Sequence, residues 1–191
     1  MKEPLQVNVN GHVLIRDADT NEIIVDQCNA IHPKNVALVI AKALARDTGS
    51  STGIFSLCFG NGGTFFNSSS QLVYRPPNTV GAATLYNQTY SVQVDDLSTG
   101  TPSTNSVNYA SSVSPAITSI VTITAQLNAN EPSGQATADN ITTDSEAPYM
   151  FDEVGLKSSD DLLLSHLVFS PIEKTGNRVF LIIYTLTISV S

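Results

Sequence analysis

The sequence predicts a mainly β protein with one short α-helix (α+β), folded as an antiparallel β-sandwich-like domain with long polar loops. Three observations support this: short apolar runs alternate with polar residues, only one segment has helical periodicity, and Ser, Thr, Asn and Gly fill much of the remainder. A chain of 191 residues is long enough to bury its own core, so we expect a single domain over residues 1–191.

The first two elements are a hairpin and a helix. The segment HVLIRDADTNEIIVD, residues 12–26, has a polar centre between two apolar halves, which predicts a β-hairpin. A helix is predicted over residues 33–47, with Pro33 in its first turn and Gly49 as its stop. Its apolar face, which we expect to lie on a sheet, comprises Val36, Val39, Ile40, Ala43 and Leu44.

The middle of the chain is polar and irregular. GIFSLCFG, residues 53–60, predicts a strand, and a loop-rich insert follows at residues 65–118. We expect long loops in the insert around one or two strands, with faces marked by Leu85, Val92 and Val94. Since loops of this length usually serve function or contact, the insert is our candidate for the principal inter-subunit surface.

The last third, residues 119–191, predicts closing antiparallel strands. SIVTITAQLN alternates between an apolar and a polar face, and three further apolar runs end in RVFLIIYTLTISV. Polar KSSDD separates two of these runs, which is the composition of a hairpin turn.

Charge and hydropathy exclude several partners. Nine Lys and Arg face seventeen Asp and Glu, giving a net charge of −8, and no basic run is present, so nucleic acid is not an expected partner. No window is apolar enough to span a membrane and the N-terminus shows no export signal, so we expect a soluble chain with no membrane partner. Cys28 and Cys58 are predicted to be buried reduced thiols rather than a disulfide.

The segment from Asp152 to His166 concentrates the titratable residues. We predict that Asp160 and Asp161 lie in a turn and cap local amides. Asp152 and Glu153 are neighbours on a strand, so their side chains point to opposite faces and cannot act as a carboxylate pair on one substrate. His166 lies in an apolar run and is predicted to be a hydrogen-bonded histidine of the core or of a sheet edge. We therefore predict no catalytic residue and no enzymatic activity.

Cofactor and metal sites are not predicted either. FGNGGT, residues 59–64, lacks the Lys and the following helix of a phosphate cradle, and its glycines are predicted to supply positive φ at a sharp turn. The three histidines are scattered, which disfavours zinc. Asp95 and Asp96 lack calcium-loop spacing and predict a solvated turn.

The order of several short motifs resembles a domain of tailed-bacteriophage virion proteins. In that group an N-x-I segment leads into a short helix, a strand ends in a G-x-G-x-T turn, and E-V-G-L and F-x-P-I-x-K strands precede a long terminal strand. The matching positions here are Asn29 to Ile31, Gly60 to Thr64, Glu153 to Leu156, Phe169 to Lys174 and Arg178 to Ser189. They span about half of the chain, and residues 65–145 match nothing in the group.

The resemblance implies a non-enzymatic structural component of the virion, placed in the tail, neck, baseplate or fibre-attachment region and assembled in the cytoplasm of a host bacterium. Expected partners are other virion proteins and further copies of the chain, in a trimer or hexamer. Alternatives are a capsid decoration protein and a receptor- or carbohydrate-binding module that uses Tyr74, Tyr86, Tyr90 and Tyr109. A polysaccharide-cleaving hydrolase would need paired carboxylates, among which Asp95, Asp96, Asp160 and Asp161 are candidates.

Overall fold

A computed structural model describes residues 6–45, 53–94, 104–112, 117–133 and 149–190. The described part is mainly β with one helix, as predicted. Its elements in chain order are β1 (Val7–Asp17), β2 (Ile23–Ile31), α1 (Pro33–Ala45), β3 (Ile54–Gly60), β4 (Thr64–Phe66), β5 (Leu72–Tyr74), β6 (Gln88–Gln93), β7 (Ser106–Ser112), β8 (Ile117–Leu127), β9 (Met150–Ser158), β10 (Leu163–Glu173) and β11 (Phe180–Val190).

Nine of the strands form one antiparallel sheet in the order β6-β3-β9-β10-β2-β1-β11-β8-β7, and β4 pairs with β5 separately. The long sheet curls into a half-barrel around a shared core. Its two halves meet at β2 and β10, where only Ser165 with Ile31 and His166 with Ala30 are paired. A sandwich-like arrangement would have two separate sheets. It is not observed, because this short pairing joins the two halves into one sheet.

The core lies inside the curl and takes side chains from both halves. Alternation along β8 and β11 is confirmed: the inward positions are buried and the outward ones are partly exposed. The fully or almost fully buried inward side chains include Val13, Ile15, Leu57, Phe59, Ile123, Leu127, Phe151, Phe169, Phe180, Ile182 and Tyr184. Burial of each such side chain contributes about 1.5–3 kcal/mol before conformational entropy is subtracted.

The hairpin predicted over residues 12–26 is present as β1 and β2, whose strands extend further at both outer ends. Asp17 organises its turn: Oδ1 accepts hydrogen bonds from the N–H groups of Asp19 and Thr20 at 3.0 and 2.9 Å. Oδ2 accepts one from Nε of Arg178 at 2.8 Å. The Thr20 N–H and the Arg178 guanidinium together lower the pKa of Asp17 to about 2.

This low pKa predicts an acid-sensitive contribution to stability. Because the folded pKa lies below the ordinary 3.8, ionised Asp17 stabilises the fold above that pH, and the stabilisation is lost as the pH falls towards 2. Asp17→Asn is expected to lower Tm at pH 7 by roughly 3 °C, and less at pH 2. Thermal unfolding followed by circular dichroism measures both values. Asp19→Asn in the same turn is the control, and an equal Tm gap at both pH values would contradict the prediction.

The helix begins at Pro33 as predicted, but its buried face differs from the predicted one. Asn35 is its buried residue, and its Nδ2 donates to the carbonyl of Leu163 at 2.8 Å. Val36 and Val39 are partly buried against the core, whereas Ile40, Ala43 and Leu44 are exposed. The Asn35 hydrogen bond and an ion pair between Lys42 and Asp160 at 2.6 Å fix the rotation of the helix, so that much of its predicted apolar face is not buried. The predicted stop at Gly49 lies outside the described residues.

The insert contains more strand than predicted. It holds β5, β6, β7, most of β4 and the first residues of β8, where one or two strands were expected. Leu85, Val92 and Val94 are buried, but only Val92 lies in a strand, β6, so the predicted strand faces are confirmed for Val92 alone. The strand β7, SVNYASS, was missed because its polar residues occupy both faces and give no alternation.

Candidate functional site

Glu153 and His166 form a buried pair at the centre of the β9–β10 half of the sheet. Both side chains are fully buried, and Nε2 of His166 lies 2.9 Å from Oε2 of Glu153. The N–H of Asn78 donates to Nδ1 of His166 at 2.8 Å, so Nδ1 carries no proton. Nε2 therefore carries the proton and donates to the carboxylate. The prediction of a hydrogen-bonded His166 is confirmed, and the residue lies in the core rather than at a sheet edge.

The carboxylate of Glu153 also accepts backbone hydrogen bonds from two loops. Its Oε2 accepts from Tyr86 N at 2.9 Å, and Oε1 accepts from Asn87 N at 2.8 Å and from Gly62 N at 3.3 Å. Burial alone would raise the pKa of Glu153, but the hydrogen bonds from His166, Asn87 and Tyr86 outweigh it, so the pKa lies below the ordinary 4.5. Glu153 is thus an ionised anchor for these loops.

Asp152 holds the next two residues of the same turn. Its Oδ1 accepts from Gly63 N at 2.8 Å, and Oδ2 accepts from the N and Oγ1 of Thr64 at 2.7 and 2.5 Å. Burial raises its pKa above 3.8 in spite of these hydrogen bonds. The two carboxylates share no hydrogen-bond donor, but they hold consecutive residues of one turn. We call Asp152, Glu153 and His166 the polar clamp.

The glycines of residues 60–63 are needed for close contact, not for a left-handed backbone. A Cβ on Gly60 would lie 2.3 Å from the Asn87 carbonyl oxygen and 2.5 Å from Oε1 of Glu153. A Cβ on Gly63 would lie 2.9 Å from the Asp152 carbonyl oxygen. The predicted positive φ is wrong for these positions, and among the described glycines only Gly81 adopts it. The turn has to pass directly against the clamp.

A cavity of about 580 Å³ lies beside the clamp, bounded by the β4–β5 hairpin, the turn after β3 and the start of β9. Its polar lining comprises Asn61, Thr64, Arg75, Asn87 and Asp152, and its apolar lining includes Phe65, Phe66, Leu72, Met150, Phe151 and Pro171. The Arg75 guanidinium carbon lies 5.1 Å from the ring centroids of both Phe65 and Tyr86. The two rings hold the guanidinium plane at the cavity through cation–π contacts.

The other candidate carboxylates do not form a site among the described residues. The turn after β9 is confirmed, but Asp160 and Asp161 do not cap amides as predicted. Asp160 pairs with Lys42, and Asp161 pairs with Lys157 at 2.8 Å. Lysine ammonium groups reach this turn from the helix and from β9, while Oγ of Ser158 supplies the local cap by accepting from Leu162 N. Asp95 and Asp96 lie outside the described residues.

Cysteines and metal ligands give no site in the described residues. Both cysteines are free thiols, but Cys28 is exposed, because it lies on the outer face of β2, and only Cys58 is buried as predicted. Within residues 6–45, 53–94, 104–112, 117–133 and 149–190, no three His, Cys, Asp or Glu side chains are grouped as a metal site. In the same ranges no helix has the length and hydropathy needed to cross a membrane.

No family model matches the chain, and comparisons with curated proteins and with solved structures found no match. Function therefore has to be argued from the contacts. The donors and acceptors of the polar clamp are occupied by the chain's own backbone, so the clamp positions loops. The cavity beside it and the outer face of α1 are two of the surfaces that are open to a partner among the described residues.

Proposed function

We propose that the chain is a non-enzymatic structural component of a tailed-bacteriophage virion that contacts other virion proteins in the tail, neck, baseplate or fibre-attachment region. One observation carries the proposal. The motif segments are dispersed in sequence, yet they lie on or beside the contiguous strands β3-β9-β10-β2-β1-β11. The glycine turn is bonded directly to the E-V-G-L strand through Glu153. The motifs thus form one structural unit, as parts of a shared domain should.

The outer face of α1 supports a role in protein contacts. Leu44 is 81% exposed, and Leu38 and Ile40 are 39% and 40% exposed. Ala37 and Ala41 lie exposed beside them. Ile40 and Leu44 are one turn apart and share a helix face with Ala37 and Ala41, whereas Leu38 points to another side. An exposed apolar face of this kind is typical of an interface. We assign this face, defined by Ile40 and Leu44, to an inter-subunit contact in a homo-oligomer, a trimer or hexamer.

Two substitutions test this assignment. The double variant Ile40→Gln/Leu44→Gln is expected to convert the oligomer into a monomer, because it places amides in an apolar contact. Its stability should stay within about 1 kcal/mol of the unsubstituted protein, since both side chains are already exposed. Light scattering gives the mass, and mass spectrometry of purified particles of the encoding phage shows incorporation.

Ile23→Gln is the matched control, because Ile23 is 60% exposed on β2, away from the helix, and should leave the oligomer intact. A double variant that still forms the oligomer would refute the contact through α1. A chain missing from the particles would refute the virion role itself.

The insert remains a second proposed contact. Tyr109 on the edge strand β7 is 83% exposed, and an unpaired strand edge is a natural site of association. Deletion of the whole insert is not a suitable test, because Asn78, Tyr86 and Asn87 hold the polar clamp. Tyr109→Ser tests the edge alone.

Three alternative functions differ from the proposed one in their location in the particle or in the contacts they require. A capsid decoration protein would use the same surfaces, and particle fractionation into heads and tails separates the two roles. The four tyrosines of the receptor-binding alternative do not form one exposed surface, because Tyr90 is partly buried and packs against the core. For the hydrolase, Asp160 and Asp161 are paired with lysines, which does not favour a catalytic pair.

A further inference from the structure

The cavity beside the polar clamp has the size of a ligand site. Its volume of about 580 Å³ lies within the range of roughly 300–1,000 Å³ typical of small-molecule pockets. Its floor is rigid, because Asp152 and Glu153 fix the turn at Gly62 and the backbone at Asn87. A pre-formed pocket of this kind spends little free energy on ordering when a ligand enters.

Arg75 gives the cavity an anion-binding group. It is the one cation in the cavity lining, and among the described residues its guanidinium makes no hydrogen bond or ion pair. The rings of Phe65 and Tyr86 brace the guanidinium plane and leave its N–H edge available. That planar fork matches a carboxylate, to which it can donate two parallel hydrogen bonds.

Asp152 on the same wall does not cancel this attraction. Its carboxylate oxygens already accept three hydrogen bonds from Gly63 and Thr64, which direct the carboxylate at the turn after β3. The guanidinium and the Asp152 carboxylate are not within ion-pair distance of each other, since Arg75 has no ion-pair partner among the described residues. Arg75 is thus available for an external carboxylate.

The rest of the lining suits a sugar ring. Phe66 is an exposed phenyl ring, with 64% of its surface accessible, and a flat apolar ring packs against the C–H face of a pyranose. Its neighbour Phe65 points to the other face of β4, where its ring contacts Arg75. Asn87 donates from Nδ2 to Oδ1 of Asn61 at 2.6 Å, while its own Oδ1 accepts no hydrogen bond among the described residues. This carboxamide oxygen can accept from a sugar hydroxyl.

We propose that the cavity binds a carboxylate-bearing sugar, as found in an acidic glycan, with Arg75 holding the carboxylate, Phe66 packing on the ring, and Asn87 binding a hydroxyl. The site is distinct from the four-tyrosine surface considered above. It also does not depend on the assembly role of α1, so either proposal can fail while the other stands.

Glucuronic acid is the probe, and its uncharged methyl ester and glucose are compared with it. Titration of the ¹⁵N-labelled full chain should show glucuronate-induced shifts of the amides of Phe65, Phe66 and Asn87. Arg75→Gln and the methyl ester should each weaken binding about tenfold or more, because both remove the charge-assisted hydrogen bonds. Arg75→Lys should fall between, since it keeps the charge but loses the planar fork.

Lys34→Gln is the matched control, because it removes the same charge from exposed Lys34 on α1 and should leave binding unchanged. Unaltered spectra elsewhere show that each variant is folded. The proposal is overturned if glucuronate leaves the cavity amides unshifted, if the acid and its ester bind equally, or if Arg75→Gln binds as well as the unsubstituted chain. Equal affinity for acetate and glucuronate would likewise overturn it, since the ring would then contribute nothing.

Discussion

Replacing Glu153 with alanine is expected to lower the free energy of unfolding by about 4 kcal/mol. The change leaves Nε2–H of buried His166 and the part-buried N–H groups of Tyr86 and Asn87 without an acceptor. Each orphaned donor costs about 1–3 kcal/mol. Because a domain is stable by only about 5–15 kcal/mol, the alanine variant can fail to fold.

The isosteric change Glu153→Gln keeps the prediction measurable. A glutamine has the same shape, but its NH₂ group is a donor where the carboxylate has an acceptor oxygen. The NH₂ group would therefore meet one or more of the N–H donors that now bind Glu153. We expect a loss of about 2 kcal/mol by urea denaturation followed with circular dichroism. Glu22→Gln is the control: Glu22 is 68% exposed and 3.4 Å from Arg178, so its loss should be within about 0.5 kcal/mol.

Protonation of Glu153 should destabilise the protein for the same reason as the mutation, because it removes a hydrogen-bond acceptor. Its folded pKa lies below 4.5, because hydrogen bonds outweigh burial, so its stabilisation is present above that pH and is lost as the pH falls. The stability gap between the unsubstituted protein and Glu153→Gln should therefore narrow in acid. Nitrogen NMR of His166 should also show the proton on Nε2. A proton on Nδ1, or equal losses for Glu153→Gln and Glu22→Gln, would contradict the role given to Glu153.

The sequence predicted those features that depend on local pattern. Alternation along β8 and β11 located the core strands, and the polar pentad before Leu162 located a turn. The buried face of α1 was predicted wrongly, because a polar residue, Asn35, is the one that docks on β10. The spacing of apolar residues predicts which apolar side chains face the core. It cannot predict that a carboxamide will be buried because it donates to a buried backbone carbonyl.

The polar clamp could not be predicted in the same way. Its members and their partners come from separate segments, around Gly62, Tyr86, Asp152 and His166, which the strand order β6-β3-β9-β10 brings together. Most of the clamp's partners are backbone N–H groups, which every residue except proline carries, so no residue pattern marks them. The signal present in the sequence was the cluster of three glycines before Thr64, which was interpreted as a need for positive φ, whereas the structure requires these glycines for close contact.

Three glycine-to-alanine changes separate close contact from backbone conformation as the reason for that cluster. Gly60→Ala is expected to cost about 3 kcal/mol, because the new methyl group would meet the Asn87 carbonyl and the Glu153 carboxylate at less than contact distance. Gly81→Ala should cost about 1 kcal/mol, since Gly81 has φ of +66° but open space around it. Gly53→Ala has neither obstacle and should be neutral or slightly stabilising.

Urea denaturation of the three variants gives the loss of unfolding free energy for each, and the order of the three losses distinguishes the two explanations. If Gly60→Ala is the worst, the turn is held by contact with the clamp, and the amide signals of Tyr86 and Asn87 should shift with it while those of the β1–β2 hairpin do not. If Gly81→Ala is the worst, or if Gly60→Ala matches Gly53→Ala, the turn tolerates a side chain at Gly60. The carboxylate of Glu153 would then not fix the backbone of the loops around the cavity.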